Sequence, residues 1–191
     1  AMGLSLTRLL ALLLLIVQGG SAVAQLDDST HHRVLVIHSY GTDFKWTTDL
    51  DGGIREVLEA EVNSRTTVHS EHLDAKYFTG DAYMEEASQL IRQKYEGWSF
   101  GTIIVTDNFA LEFMRRYRGE LWPRTPVVFC GINNYTPELV AGMDNVTGVA
   151  EALSAEETVA VIRRTLPGYR RFHILSDDTA TVSLLSGSVD V

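Results

Sequence analysis

Short apolar runs rich in β-branched residues recur along this chain, and each is followed by a stretch with helical periodicity. That alternation is the tightest constraint on what the chain can fold into. Arg33 to His38 (RVLVIH) is the first run. Apolar residues at successive positions suit a strand buried on both faces. Thr48 to Val62 reads as a helix, because Ile54, Val57, Leu58 and Val62 fall at helical spacing, with Thr47 or Thr48 as candidate N-cap. Thr66 to Leu73 is the second strand. It alternates less cleanly and carries His69 and His72, which suits a sheet edge. Asp81 to Tyr95 is a helix with an apolar stripe of Tyr83, Met84, Ala87, Leu90, Ile91 and Tyr95, ended by Gly97. Thr102 to Thr106 (TIIVT) is the third strand. Ala110 to Leu121 is the third helix, with Asp107 or Asn108 placed to cap it and Pro123 to stop it. Pro126 to Cys130 (PVVFC) is the fourth strand, Pro137 to Gly142 allows one or two helical turns, and Val146 to Glu151 (VTGVAE) is the fifth strand. Ser154 to Leu166 is a helix in which Ser154 and Glu157 form an S-x-x-E capping box, closed by Pro167-Gly168. Phe172 to Leu175 is a sixth strand. Strands separated by helices predict an α/β fold, a parallel sheet covered on both faces.

Residues 1–24 read as something other than this domain. One positive charge, Arg8, precedes the unbroken apolar run Leu9 to Val17. Gly19, Gly20 and Ser21 then break the helix before Ala22-Val23-Ala24, an A-x-A cleavage site. At ~1.5 Å rise per residue the run is too short for a hydrocarbon core of ~30 Å. The expectation is a cleaved secretory signal peptide and a periplasmic protein; the alternative is a retained membrane anchor. Residues 25–32 are a polar, flexible leader, and no later stretch is long and apolar enough to be a transmembrane helix. The net charge of −9 disfavours nucleic acid and anionic membrane as partners. Cys130 is the single cysteine, without a disulfide partner in the chain, and a lone thiol fits a core better than a catalyst.

In an open parallel sheet, ligands bind in the crevice outside the carboxyl ends of the strands. That rule selects His38, Ser39, Tyr40, Asp43, Phe44, Lys45 and Trp46 after the first strand. After the third it selects Asp107, Asn108 and Phe109, and after the fourth Gly131, Ile132, Asn133, Asn134 and Tyr135. Convergent hydroxyl, amide and aromatic groups suit a small polar or aromatic ligand. Each residue also has a structural reading. His38 and Ser39 can tie loop backbone, Asp107 and Asn108 can cap a helix, Gly131 can serve a tight turn, and Asn133 and Asn134 tolerate left-handed backbone. Trp46 is either core or a ligand platform. No G-x-S-x-G elbow, Walker A loop, G-x-G-x-x-G or H-E-x-x-H pattern occurs. His69 and His72, three apart in a strand, face opposite ways and do not make a joint metal site. No cofactor is expected. A phosphorylation receiver domain shares the strand–helix order but needs clustered acids where this chain has His38-Ser39-Tyr40.

The segments VLVIHSYGTDFKWTTDLDGGI (Val34 to Ile54), IIVTDNFALEFM (Ile103 to Met114), PVVFCGINNY (Pro126 to Tyr135) and NVTGVAE (Asn145 to Glu151) resemble the ABC-type substrate-binding protein family of uncharacterised ligand. The same domain occurs as the periplasmic sensor region of bacterial histidine kinases and diguanylate cyclases. The resemblance covers roughly Arg33 to Asp178. It implies a type I periplasmic-binding-protein fold, two α/β lobes closing on a ligand by hinge motion. It also implies ligand contacts from Ser39, Tyr40, Trp46, Asp107, Asn108, Gly131, Asn133 and Asn134, with Glu151 at a hinge crossover. Residues 33–151 are then the first ligand-binding lobe. Residues 152–191 are the start of a second lobe that is mostly absent from this sequence.

The function expected is non-enzymatic capture of a small molecule, passed on or signalled to an ABC permease or a membrane histidine kinase or diguanylate cyclase. One alternative is a protein-interaction module that pairs with another copy as a homodimer. Another is a flavodoxin-like enzyme using His38 or Asp107 as acid–base groups.

Overall fold

The computed structural model describes residues 32–61, 66–152, 154–168 and 171. The expected signal peptide, most of the leader, Val62 and the sixth strand at Phe172 to Leu175 lie outside these residues. Five strands, β1 (His32–His38), β2 (Thr66–His72), β3 (Thr102–Thr106), β4 (Val127–Asn133) and β5 (Val146–Glu151), form one sheet in the order β2-β1-β3-β4-β5. Every neighbouring pair is parallel. The helices are α1 (Lys45–Glu61), α2 (Asp81–Lys94), α3 (Asp107–Leu121) and α4 (Ala155–Thr165), with a 3-10 turn at Pro137–Val140. β2 is at the sheet edge, as its mixed pattern predicts.

The strand order fixes where the helices sit. The chain steps from β1 outward to β2, then back across β1 to β3 and onward to β4. Crossovers in parallel sheets are right-handed, so this reversal puts α1 on one face and α2 and α3 on the other. Accordingly α2 packs against α3, and α3 packs against β3 and β4. β1 is covered on both faces, and Leu35, Val36, Ile37 and His38 are all fully buried. The main core lies under α2 and α3, where Leu35, Ile37, Ile103, Val105, Val127 and Ile132 meet Leu111, Phe113 and Met114.

Several local expectations change. α1 begins at Lys45, ahead of the expected start at Thr48. A turn in which Phe44 N–H donates to the Gly41 carbonyl already sets the chain into the helix. Thr47 and Thr48 are therefore inside the first turn and cannot cap it. α3 begins at Asp107, and neither Asp107 nor Asn108 caps it, since both side chains turn elsewhere. β4 runs to Asn133 rather than stopping at Cys130. Gly131, at φ +68°, carries it through a bulge between Phe129 and Ile132 instead of making a tight turn. The Ser154–Glu157 capping box does not form. Ser154 has φ −101° and ψ 39°, away from the extended backbone an N-cap needs, and its side chain makes no cap bond. Leu90 leaves the α2 stripe. It is 65% exposed, while Ile91 is 4% exposed and faces the core.

That contrast gives a stability prediction. Ile91→Ala should cost ~2–5 kcal/mol, and Leu90→Ala should stay within about 0.5 kcal/mol of the parent. Urea unfolding of the two variants checks it.

Candidate functional site at the carboxyl ends of the strands

The winding reverses between β1 and β3, and this is where an open α/β sheet leaves its crevice. Ser39, the residue after β1, builds that edge. Its hydroxyl donates to the Thr106 carbonyl at 2.7 Å and accepts the Ala110 N–H at 2.8 Å. The cap of α3 thus comes from the neighbouring strand. Ser39 is fully buried, with its one proton given to Thr106 and its oxygen accepting Ala110, which makes it a positioning residue. Asn108 is likewise committed. Its amide donates to the Asn133 carbonyl at 3.1 Å and its side-chain oxygen accepts the Asn133 N–H at 3.0 Å, clamping α3 to the end of β4.

Held between these two ties, Asp107 adopts φ +65°, a conformation that costs a non-glycine residue roughly 1–2 kcal/mol. Its carboxylate accepts the Trp46 indole N–H, at 3.1 Å and 3.3 Å to its two oxygens. Gly131 completes the arrangement. A Cβ there would stand 3.4 Å from Asp107 Oδ1 and 3.5 Å from Trp46 Cζ2, ordinary contact distances, so it is the left-handed backbone at φ +68° that favours glycine beside both side chains. Asp107 is 5% exposed and Trp46 is 45% exposed, so the indole forms an open wall beside a sunken carboxylate. Burial pushes the Asp107 carboxyl up to about 7. The charge of Glu151, at the end of β5, adds to this, and the indole bond and the Lys76 ammonium oppose it. Burial, with the Asp107 and Glu151 charges behind it, also pushes the Cys130 thiol up to about 11.

Aromatic and charged groups from the loops after β1 and β2 form a second cluster, and the charge of its Lys76 reaches Asp107. Tyr40 and Phe44 lie 6.0 Å apart between ring centroids, and Lys76 Nζ sits 5.0 Å and 5.3 Å from them. The Tyr77 hydroxyl donates to Asp43 at 2.7 Å, and Ala75 N–H donates to the Ser39 carbonyl at 2.8 Å. Asn134, at φ +50°, takes the left-handed conformation anticipated for it, while Asn133 remains in the strand, buried and paired in register with Glu151. Of the eight residues expected at the ligand, the structure brings Trp46, Asp107 and Gly131 into one cluster. Tyr40 joins the second cluster, with Phe44 and Lys76. Ser39, Asn108 and Asn133 serve as ties.

His38 does not face the crevice. It points under α1, where Nε2 donates to Asp51 Oδ1 at 3.1 Å and Nδ1 takes the Thr106 hydroxyl at 3.0 Å. Desolvation holds its pKa below the usual histidine value, so the ring is neutral, with Asp51 opposing the shift. Burial alone would raise Asp51. Hydrogen bonds from Arg55, Ser70 and His38 instead hold it at about 2. His72 stacks on His38, with centroids 4.9 Å apart, while His69 lies on the other face against Trp98. Sequence reasoning missed this Asp51–Arg55–Ser70 network and the Lys76-Tyr77 cluster. The i, i+4 spacing of Asp51 and Arg55 was a usable signal for the first. The end of β2, read by the same strand-end rule, was one for the second. Among the described residues no group of three or more acidic, histidine or cysteine side chains could hold a metal ion.

A cleft of about 390 Å³ lined by Tyr95, Trp98 and Trp122 lies at the opposite end of the sheet. Its one arginine, Arg92, is already paired with Glu120. The strand-end crevice is the stronger candidate, because a buried carboxylate, a strained backbone and an exposed indole converge there.

No protein-family model and no curated protein matches the sequence. Among solved structures, a conserved domain protein from Vibrio cholerae O1 biovar El Tor is similar over 72% of this chain and 44% of its own, at 18% identity and a TM-score of 0.50. An ABC domain in complex with L-Trp from Streptococcus pneumoniae matches over the same shares at 16% identity and a TM-score of 0.46. This chain spans less than half the length of either. The first likeness bears on fold alone, a five-stranded parallel sheet flanked by helices, consistent with a single lobe of the type I periplasmic-binding-protein kind.

The sign of the Asp107 shift yields a prediction. A carboxyl raised in the folded state adds stability at low pH, and this is lost as pH rises from the unfolded value, near 4, through about 7. Asp107→Asn keeps an acceptor for the indole without the charge. It should melt above the parent at pH 8, by up to about 4 kcal/mol in stability, and the gap should narrow as pH falls to 5. Thermal melts across that range measure it.

Proposed function

We propose that this chain is a small-molecule-binding lobe, exported to the periplasm, that captures its ligand at the carboxyl ends of β1, β3 and β4. The observation that carries the reading is the Trp46–Asp107–Gly131 cluster at the point where the sheet's winding reverses. The charges of Lys76, beside Tyr40, and of Glu151, the last residue of β5, both reach Asp107. In this reading the captured ligand, or the closure it drives, is passed to a membrane transporter or a membrane signalling protein. The chemistry of the side chains favours binding over catalysis. His38 is buried with both ring nitrogens engaged, and the Cys130 thiol is held far from the thiolate form that attacks. Export through cleavage after Ala24 belongs to the same proposal.

Ligands that bind only the folded state raise its melting temperature. A thermal-shift screen of amino acids, purines and sugars should raise it by several degrees for at least one class. Trp46→Ala should weaken that ligand at least tenfold while leaving the unliganded melt within a few degrees. Val149, Val161 and Leu166 are exposed on β5, α4 and just beyond, which favours a second reading, an interaction module. Absence of any thermal shift, together with a concentration-dependent dimer in sedimentation, would select that one. N-terminal sequencing of the exported protein should start at Gln25, and an intact Met2 would overturn the cleavage.

A further inference from the structure

We propose that the crevice selects ligands carrying a protonated amine beside a flat apolar body, with Asp107 as the counter-ion and the Trp46 indole as the wall. This rests on the small-molecule reading above and adds the chemical class. Asp107 is buried at the carboxyl end of β3, and the side chains that hydrogen-bond its carboxylate, the Trp46 indole and Thr106, are both neutral. A desolvated carboxylate held by a neutral partner gains most from an incoming cation, because the attraction is strong where water is excluded. A Cβ on Gly131 would lie 3.4 Å from Asp107 Oδ1, so the glycine leaves that side of the carboxylate uncovered by a side chain of its own. Glu151 strengthens the negative potential there, and the Lys76 ammonium, engaged over the Tyr40 and Phe44 rings, offsets it in part. A cation at Asp107 also lies beside the indole, whose face attracts cations and whose area suits a flat body. An anionic ligand at the same place would face Asp107 and Glu151 together, and a neutral one would leave the buried carboxylate with only the partial compensation that Lys76 supplies.

A consequence follows in protons. The titratable and charged groups near Asp107 are Cys130 on β4, Glu151 on β5 and Lys76 after β2. An ammonium favours the ionised carboxylate, so the fraction of Asp107 that is protonated near neutral pH gives its proton to solvent as the amine binds. An uncharged ligand releases none.

Calorimetric titration of the full chain with phenethylamine, 2-phenylethanol and 3-phenylpropionate, in two buffers of different ionisation enthalpy at pH 7, tests this. Phenethylamine should bind at least tenfold more tightly than the other two and release protons, and Asp107→Asn should bring the amine-to-alcohol ratio close to one. The ratio and the proton release are read on the parent protein, so the test survives a variant that folds poorly. Equal or tighter binding of the alcohol or the carboxylate overturns the ammonium assignment while leaving a small-molecule crevice in place. Binding of sugars or purines with none of the three probes does the same. If nothing binds at all, both the assignment and the reading beneath it fail.

Discussion

The arrangement at the crevice depends on one hydroxyl at the end of one buried strand. β1 lies inside the sheet and is covered on both faces, so its last residues are fixed more firmly than a loop could fix them. Ser39 carries that rigidity sideways. By donating to the Thr106 carbonyl and accepting the Ala110 N–H, it joins β1, the end of β3 and the first turn of α3 at one atom. The backbone strain at Asp107 is held by this tie on one side and by the Asn108–Asn133 clamp on the other. Strain at a residue whose surroundings over-determine it is a mark of a site that must be held ready.

Two aspartates, Asp51 inside α1 and Asp107 directly after β3, show how the same side chain takes opposite characters in one fold. Asp51 is surrounded by donors, two of them on Arg55 and Ser70, and sits at about 2. Asp107 is more deeply buried, has only neutral hydrogen-bond partners in Trp46 and Thr106, feels the Glu151 carboxylate against a weaker pull from Lys76, and sits at about 7. The first is a structural tie. It pins α1 to β1 and β2 through His38, Arg55 and Ser70, beneath the helix that presents Trp46. The second is left electrostatically incomplete. A protein holds a carboxylate in that condition at a cost in stability, which is reasonable where a ligand supplies what is missing.

Strand identity and order in sequence were legible because burial on both faces writes continuous β-branched runs, as in RVLVIH and TIIVT. The strand-end rule then found Trp46, Asp107 and Gly131 without reference to any relative. What stayed hidden depended on distant partners. Ser39 caps a helix that begins more than sixty residues later, so no local motif announces it, and Asp107 and Asn108 look like better caps until the fold turns them away. Gly131 and the residues after it read as a loop because a bulge glycine and a turn glycine are the same letter. Leu90 and Ile91 share a helix and a hydropathy, and only the position of α3 decides which one is covered. Ser154 and Glu157 have the spacing of a capping box, but the chain leaving β5 does not enter the helix with extended backbone.

The central claim is that small molecules enter at the carboxyl ends of the strands and not elsewhere on the lobe. The three tryptophans report on it. Trp46 stands at that end, whereas Trp98 and Trp122 precede β3 and β4 at the other, beside the opposite cleft. The most direct measurement is the nitrogen-15 spectrum of the three indole N–H groups during titration with a ligand that raises the melting temperature. The account predicts a saturable shift of the Trp46 resonance, with those of Trp98 and Trp122 unmoved. Saturable movement of Trp98 or Trp122 with Trp46 still would contradict it.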